Sequence, residues 1–236
     1  MSIALTAIEK GRKKLVLFDI DGTLIKSKET GYTTMLLEKY FGVKPYKSKI
    51  YGEGKTHSRI LKERLEESGF ANPEKNPRFK EALEDKNAAE QFKLIKFEKV
   101  PYVEDLLRML LRNGHNIGIL TGNTEQMAMV KLDSVNLTHY FSIKACDANI
   151  DKRSDLIPIA IHMANEKTGI EFLKSRVYVV GDTIEDIRCG KENGVMTIAV
   201  ATGKETFGQL SQGNPDFIFK DFRSRKQILS SIEAVR

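Results

Sequence analysis

LVLFDIDGTL, residues 15–24, decides the fold. Its first four residues form an unbroken apolar run, closed by Asp19 and by the turn-forming Asp21-Gly22-Thr23. A run this short with a turn behind it reads as a strand buried on both faces. Alternate side chains of an extended chain point the same way, so Asp19 and Asp21 lie on one side of the strand's carboxyl end. Two carboxylates so placed repel each other unless a cation or a proton sits between them.

The same pattern returns in NIGILTG (116–122), FSIKACD (141–147), VYVVGD (177–182), MTIAVATG (196–203) and DFIFKDF (216–222). Helical stretches lie between these runs. In 102–113 a stripe of Val103, Leu106, Leu107, Leu110 and Leu111 ends before Gly114. In 154–168 Ser154 is the expected N-cap and Leu156, Ile157, Ala160 and Met163 face inward. A third helix, over 183–193, stops at Gly194. Strand and helix in alternation predict an α/β fold: a Rossmann-like parallel sheet with helices on both faces.

Residues 24–100 break the rhythm. Tyr32, Met35, Leu36 and Tyr40 fall at helical spacing, as do Ile60, Leu61 and Leu65. Asn76-Pro77 reads as the N-cap and first residue of a helix carrying Phe79 and Leu83, with Phe92 and Ile95 following. The expected division is a core of 1–23 and 101–236 with an inserted all-helical cap domain, 24–100, hinged near 24–30 and 98–101. That insertion holds 17 Lys and Arg against 12 Asp and Glu, most of the chain's net charge of +6. A basic surface steers anions, and both nucleic acid and a small phosphate ester qualify.

Composition narrows the class. Of the 236 residues 41% are hydrophobic and 30% charged, the balance of a globular protein with a core. No apolar run approaches a membrane span. MSIALTAIEKGRKK places its positive charge after the apolar patch, the reverse of a secretory signal, so a cytoplasmic protein is expected. Cys146 and Cys189 form no metal or disulfide pattern with the four histidines and read as small buried hydrophobes. His115 and His139 read as surface or turn residues, and His162 as structural.

Four stretches carry chemistry. Asp19 and Asp21 end the first strand, and Asp182 ends another in GDTIEDI (181–187), with Asp186 at a helix start. Ligands of parallel sheets bind outside such strand ends. An oxygen-rich pocket without Cys or His favours Mg²⁺. Thr121 and Gly122, ending a strand before a helix, offer a hydroxyl and backbone N–H groups to a phosphate oxygen. Lys152 and Arg153 precede a helix start, where the helix dipole disfavours cations, as if to neutralise a bound phosphate.

In this order the residues resemble the haloacid dehalogenase-like hydrolase superfamily, and in particular its phosphoglycolate-phosphatase-like members with a helical cap. The matching motifs are Asp19, Asp21, Gly22 and Thr23; then Thr121; then Arg153, or Lys152 one position earlier; then Gly181, Asp182 and Asp186. Where those members often place Lys-Pro, this chain has Lys-Arg-Ser. The resemblance implies that Asp19 is the nucleophile and Asp21 the general acid and base. It implies Mg²⁺ held by the Asp19 and Asp182 carboxylates and the Asp21 carbonyl, and phosphoryl oxygens held by Thr121, Gly122 and Arg153. Asp186 would orient a water or Arg153, and Thr23 would anchor the turn. A second aspartate in the first motif argues for phosphoryl transfer, since relatives that cleave carbon–halogen bonds lack it.

The expectation is a Mg²⁺-dependent phosphoric monoester hydrolase acting on a small phosphorylated metabolite, with no nucleic-acid or membrane partner. Lys55, His57 and Arg59, in the cap, are the candidate substrate contacts; the competing reading is a solvated helix start with Thr56 as its cap. A phosphomutase of the β-phosphoglucomutase type shares core and cap and is the alternative enzyme. A nucleic-acid-binding protein is the alternative from another class, without an aromatic basic stripe to support it.

Overall fold

The computed structural model describes residues 13–26, 31–48, 54–147, 149–150 and 152–234. Most of the N-terminal segment, part of the expected first hinge (27–30) and Gly52 lie outside the described residues. Six strands form one sheet: β1 (Leu15–Phe18), β2 (Asn116–Thr124), β3 (Ile143–Asp147), β4 (Val177–Gly181), β5 (Met196–Val200) and β6 (Phe217–Phe219). Their order is β3-β2-β1-β4-β5-β6, and every pair is parallel. β1 therefore sits at the switch point, where the chain turns first to one side and then to the other and a crevice opens beyond the strand ends.

The apolar run that announces β1 is apolar because both faces are covered. Val16 and Phe18 enter one core with Leu106, Leu110, Ile228 and Ile232, while Leu15 and Leu17 enter the other with Leu156, Ile157 and Ala160. The first face is covered by α5 (Val103–Arg112), α6 (Glu125–Ser134) and α10 (Arg225–Ala234), the second by α7 (Leu156–Thr168) and α8 (Ile184–Asn193); α9 (Phe207–Gln212) lies beside β6.

Several boundaries differ from expectation. β2 runs on to Thr124, two residues past the expected end at Gly122, and α6 is capped by Thr124, which accepts from the Met127 N–H. β6 ends at Phe219, and Phe222 begins a short helical turn that buries its ring. Ser154 is not a cap: Arg153–Asp155 form a 3₁₀ turn ahead of α7. Met163 and Leu111 face outward at the edges of their apolar stripes. His115 is buried and accepts a hydrogen bond from the Lys14 N–H, which a turn reading missed.

Between β1 and α5 the chain is helical, as its spacing predicts: α1 (Tyr32–Phe41), α2 (His57–Glu67), α3 (Pro77–Leu83) and α4 (Lys86–Glu90). Asn76 caps α3 with Pro77 at its first position. Tyr32, Leu36, Leu61, Leu65, Phe79 and Phe92 share a small core that also takes Met127 and Val130 of α6. The exit and return of this segment are tied together: Lys26 N donates to Glu98 O at 2.8 Å and Val100 N to Leu24 O at 3.0 Å. Leu24, Ile25, Phe97 and Val100 belong to the sheet's core rather than to the helical one. No described helix is long and apolar enough to cross a membrane.

Candidate active site

Asp19 follows the last residue of β1 and is held there by its own N–H, which donates to Val180 O. Asp182 follows β4, the neighbouring strand, so two carboxylates meet across adjacent strand tips. Asp186 lies one helical turn into α8 and completes a buried group of three whose oxygens lie within 4.8 Å of one another. Burial pushes the Asp19 carboxyl up to about 7; Asp186 and Asp21 push the same way, against the pull of Arg153. Asp182 is likewise raised, by burial first and then by Asp19 and Asp186. Carboxylates arranged so that their charges penalise one another are what a hard cation would relieve.

Thr23 steadies this arrangement by donating its hydroxyl to Asp182 Oδ1 at 2.8 Å. Gly22 is required beside it: its φ is +87°, and a Cβ there would stand 2.1 Å from Asp182 Oδ2. The expected turn is therefore also the wall of the carboxylate pocket.

Arg153 is buried and bridges the acidic group. Its Nη2 donates to Asp19 Oδ1 at 2.5 Å, to Asp186 Oδ1 at 2.7 Å and to the Leu120 carbonyl at 3.3 Å. Burial opposes its charge, but Asp186 and Asp19 more than offset that, and the guanidinium is held charged. Lys152 is exposed. Of the two adjacent bases, Arg153 is thus the one at the site. Asp186 keeps its capping duty as well: its Oδ2 accepts from the N–H and hydroxyl of Thr183, completing a capping box on α8.

Asp21 has different partners from this trio. Its Oδ2 accepts from Lys131 Nζ at 2.5 Å and from Asn123 Nδ2 at 2.8 Å. Burial pushes its carboxyl up, yet the charge and hydrogen bond of Lys131, with Asn123, bring it below the ordinary carboxylate range. Asn123 Nδ2 also donates to the Thr121 hydroxyl at 2.8 Å, and the Asn123 N–H does so at 3.2 Å. Thr121 is fully buried.

The helical segment closes over these groups through the loop before α2 and the start of that helix. A Cβ on Gly122 would lie 2.3 Å from the Lys55 carbonyl oxygen, so glycine here permits the loop before α2 to rest on the end of β2. Thr56 caps α2, accepting from Arg59 N, and donates to the Ile150 carbonyl. Asp147, at the end of β3, accepts from the Ser58 N–H at 2.6 Å and hydroxyl at 3.0 Å. Of the three candidate substrate contacts only His57 turns toward the pocket. Its ring lies 5.3 Å from that of Tyr32, and its Nδ1 is buried without a hydrogen-bond partner. Burial first, and Lys131 second, lower the His57 imidazole to about 3, so it is neutral. Lys55, just before α2, and Arg59, within it, both pair with Glu63 of that helix, at 2.6 and 2.9 Å.

Lys131 and Asn123 are the site residues that sequence reading missed. A signal existed for Lys131: it sits among Met127, Ala128, Val130 and Leu132, on the buried face of a helix where a lone ammonium needs a partner.

The haloacid dehalogenase-like hydrolase family matches residues 16–200. The chain is 25% identical over 218 residues to a phosphoglycolate phosphatase of Pseudomonas savastanoi pv. phaseolicola, covering 89% of this chain and 77% of the relative. It is 25% identical over 209 residues to the pyrophosphatase PpaX of Halalkalibacterium halodurans, covering 87% and 91%. A hydrolase from Pseudomonas syringae, at 19% identity, shares the fold with a TM-score of 0.70 over 93% of this chain and 99% of its own.

Proposed function

The chain belongs to the haloacid dehalogenase-like hydrolase family, and from that premise we propose that it is a Mg²⁺-dependent phosphatase of a small phosphate ester, working through a phosphoryl group carried on Asp19. The observation that carries this reading is the buried meeting of Asp19 with Asp182, Asp186 and Arg153 at the tips of β1 and β4. An acidic cluster alone could be structural; a guanidinium bonded to the same carboxylate supplies the second charge that an anionic phosphoryl group requires.

Asp19, Asp182 and the backbone carbonyl of Asp21 would hold the cation, a donor set of hard oxygens that suits Mg²⁺. When bound, Mg²⁺ supplies positive charge that offsets the repulsion between the attacking carboxylate and the phosphate. Asp19 attacks phosphorus, and the bond to the ester oxygen breaks. Asp21 takes the acidic proton that a monoanionic phosphate ester brings with it and passes that proton to the departing oxygen. The Asp21 carboxylate then takes a proton from the water that attacks the phosphoryl-Asp19, releasing phosphate and restoring both groups. Arg153 and the Thr121–Gly122 strand end hold the phosphoryl oxygens.

Arg153→Ala is accordingly expected to cost about 10²–10³-fold in kcat/KM, while Lys152→Ala changes it little. Steady-state kinetics on the two variants checks this; equal effects would remove Arg153 from the phosphoryl site.

Residues 24–100 act as the cap. Because the loop before α2 lies over Gly122, His57 is positioned to touch the part of the substrate beyond its phosphate. His57→Ala is expected to alter kcat/KM unequally across phosphate esters, and Lys55→Ala and Arg59→Ala to alter it little. The relatives named above differ in substrate, so a panel containing phosphoglycolate, pyrophosphate, sugar phosphates and nucleotides, with and without Mg²⁺, tests the activity. Absence of phosphate release across the panel with Mg²⁺ would refute the phosphatase reading.

A further inference from the structure

We propose that Lys131, acting with Asn123, is a positioning residue that presents the Asp21 carboxyl to the leaving-group oxygen. This rests on the phosphatase reading given above. Both hydrogen bonds to Asp21 fall on one oxygen: Lys131 Nζ and Asn123 Nδ2 each donate to Oδ2. Lys131 Nζ also donates to Asn123 Oδ1 at 2.7 Å, which closes a three-membered ring of contacts among the side chains. Asn123 is anchored in turn on the Thr121 hydroxyl. With Oδ2 gripped from two directions the carboxyl cannot rotate, and Oδ1, which takes no hydrogen bond from the described residues, is left to exchange a proton.

The placement argues against a merely structural ion pair. Lys131 is 4% exposed, and taking an ammonium out of water is unfavourable unless it is fully paired. Its partners are Asp21 and Asn123, both at the strand tips, and not a group that would fasten α6 to a neighbouring helix. Lys131 and Asn123 bond to Asp21, whereas Asp19 and Asp186 bond to Arg153 and Asp182 to Thr23. The reaction therefore has separate supports: one for the phosphoryl group, and one for the oxygen that departs from it.

The chemistry of the leaving group gives a test. An alkoxide must be protonated as it leaves, whereas a nitrophenolate is stable without a proton. Positioned general acid catalysis is worth roughly 10²–10⁴-fold. Lys131→Met, which keeps the length of the side chain, should lower kcat/KM for an alkyl phosphate such as phosphoglycolate by about 10²-fold or more. For p-nitrophenyl phosphate the loss should be no more than severalfold. kcat/KM is the proper quantity, because it stops at phosphoryl transfer and leaves out the hydrolysis step common to both substrates. Lys131→Met added to Asp21→Asn should cost no more on the alkyl ester than Asp21→Asn alone. Asn123→Ala, which keeps the ammonium, should give the same selectivity in weaker form, and serves if Lys131→Met does not fold by circular dichroism.

Equal losses on the two esters, or full additivity with Asp21→Asn, would overturn the clamp while leaving the phosphatase reading intact. A wild-type protein that releases phosphate from neither ester would overturn the phosphatase reading, and the clamp with it.

Discussion

Asp19→Asn is expected to abolish phosphate release, by a factor on the order of 10⁴–10⁶, while leaving the fold in place. The loss follows from position: Asp19 is the buried carboxylate bonded to Arg153 at the end of the central strand. An amide of the same shape keeps the packing but cannot attack phosphorus. The same substitution should stabilise the metal-free protein. The folded Asp19 carboxyl lies near 7, against 3.8 for a free one, with burial as the main cause. A raised carboxyl favours the protonated folded state, so its penalty is absent below about pH 4 and grows as pH rises toward 7. Metal-free Asp19→Asn should therefore melt higher than the wild type at pH 8, by an amount worth at most a few kcal/mol, and the gap should close toward pH 4. Thermal melts at the two pH values in chelator check the sign. A variant that melts lower at pH 8 would mean that the bond to Arg153 outweighs burial.

Removal of Mg²⁺ is expected to have the second-largest effect. Chelation should abolish turnover and added Mg²⁺ should restore it. Asp182→Asn should raise the Mg²⁺ concentration giving half-maximal rate by at least about 10²-fold, since it removes one of the carboxylates around the cation. Thr23→Val, which removes the hydrogen bond that orients Asp182, should raise it about 10–100-fold. Titration of activity against Mg²⁺ measures all three proteins. Full activity in chelator would contradict the assignment.

The sheet was legible because its strands are buried on both sides. Val16 and Phe18 serve one core and Leu15 and Leu17 the other, so no polar residue interrupts the run. Asp19 and Asp182 were legible because each lies just beyond a strand end, and Asp186 because it stands in the first turn of the helix that follows, where spacing along the chain translates directly into position. Lys131 was not, because its role depends on α6 lying across the end of β2 and bringing residue 131 to residue 21. No local pattern encodes that distance. The cap was legible as helices, but the direction of Lys55 and Arg59 was not: Glu63 of α2 takes both charges. The early end of β6 and the outward turn of Met163 are failures at element edges, where a single apolar residue carries little weight against the packing around it.

The central claim is that phosphate passes through Asp19. Rapid acid quench of a single turnover with radiolabelled phosphate ester, followed by digestion, locates any label on the chain. The account predicts transient label on the peptide containing Asp19, absent from Asp19→Asn. Phosphate released at the normal rate with no label on that peptide at any time would contradict it.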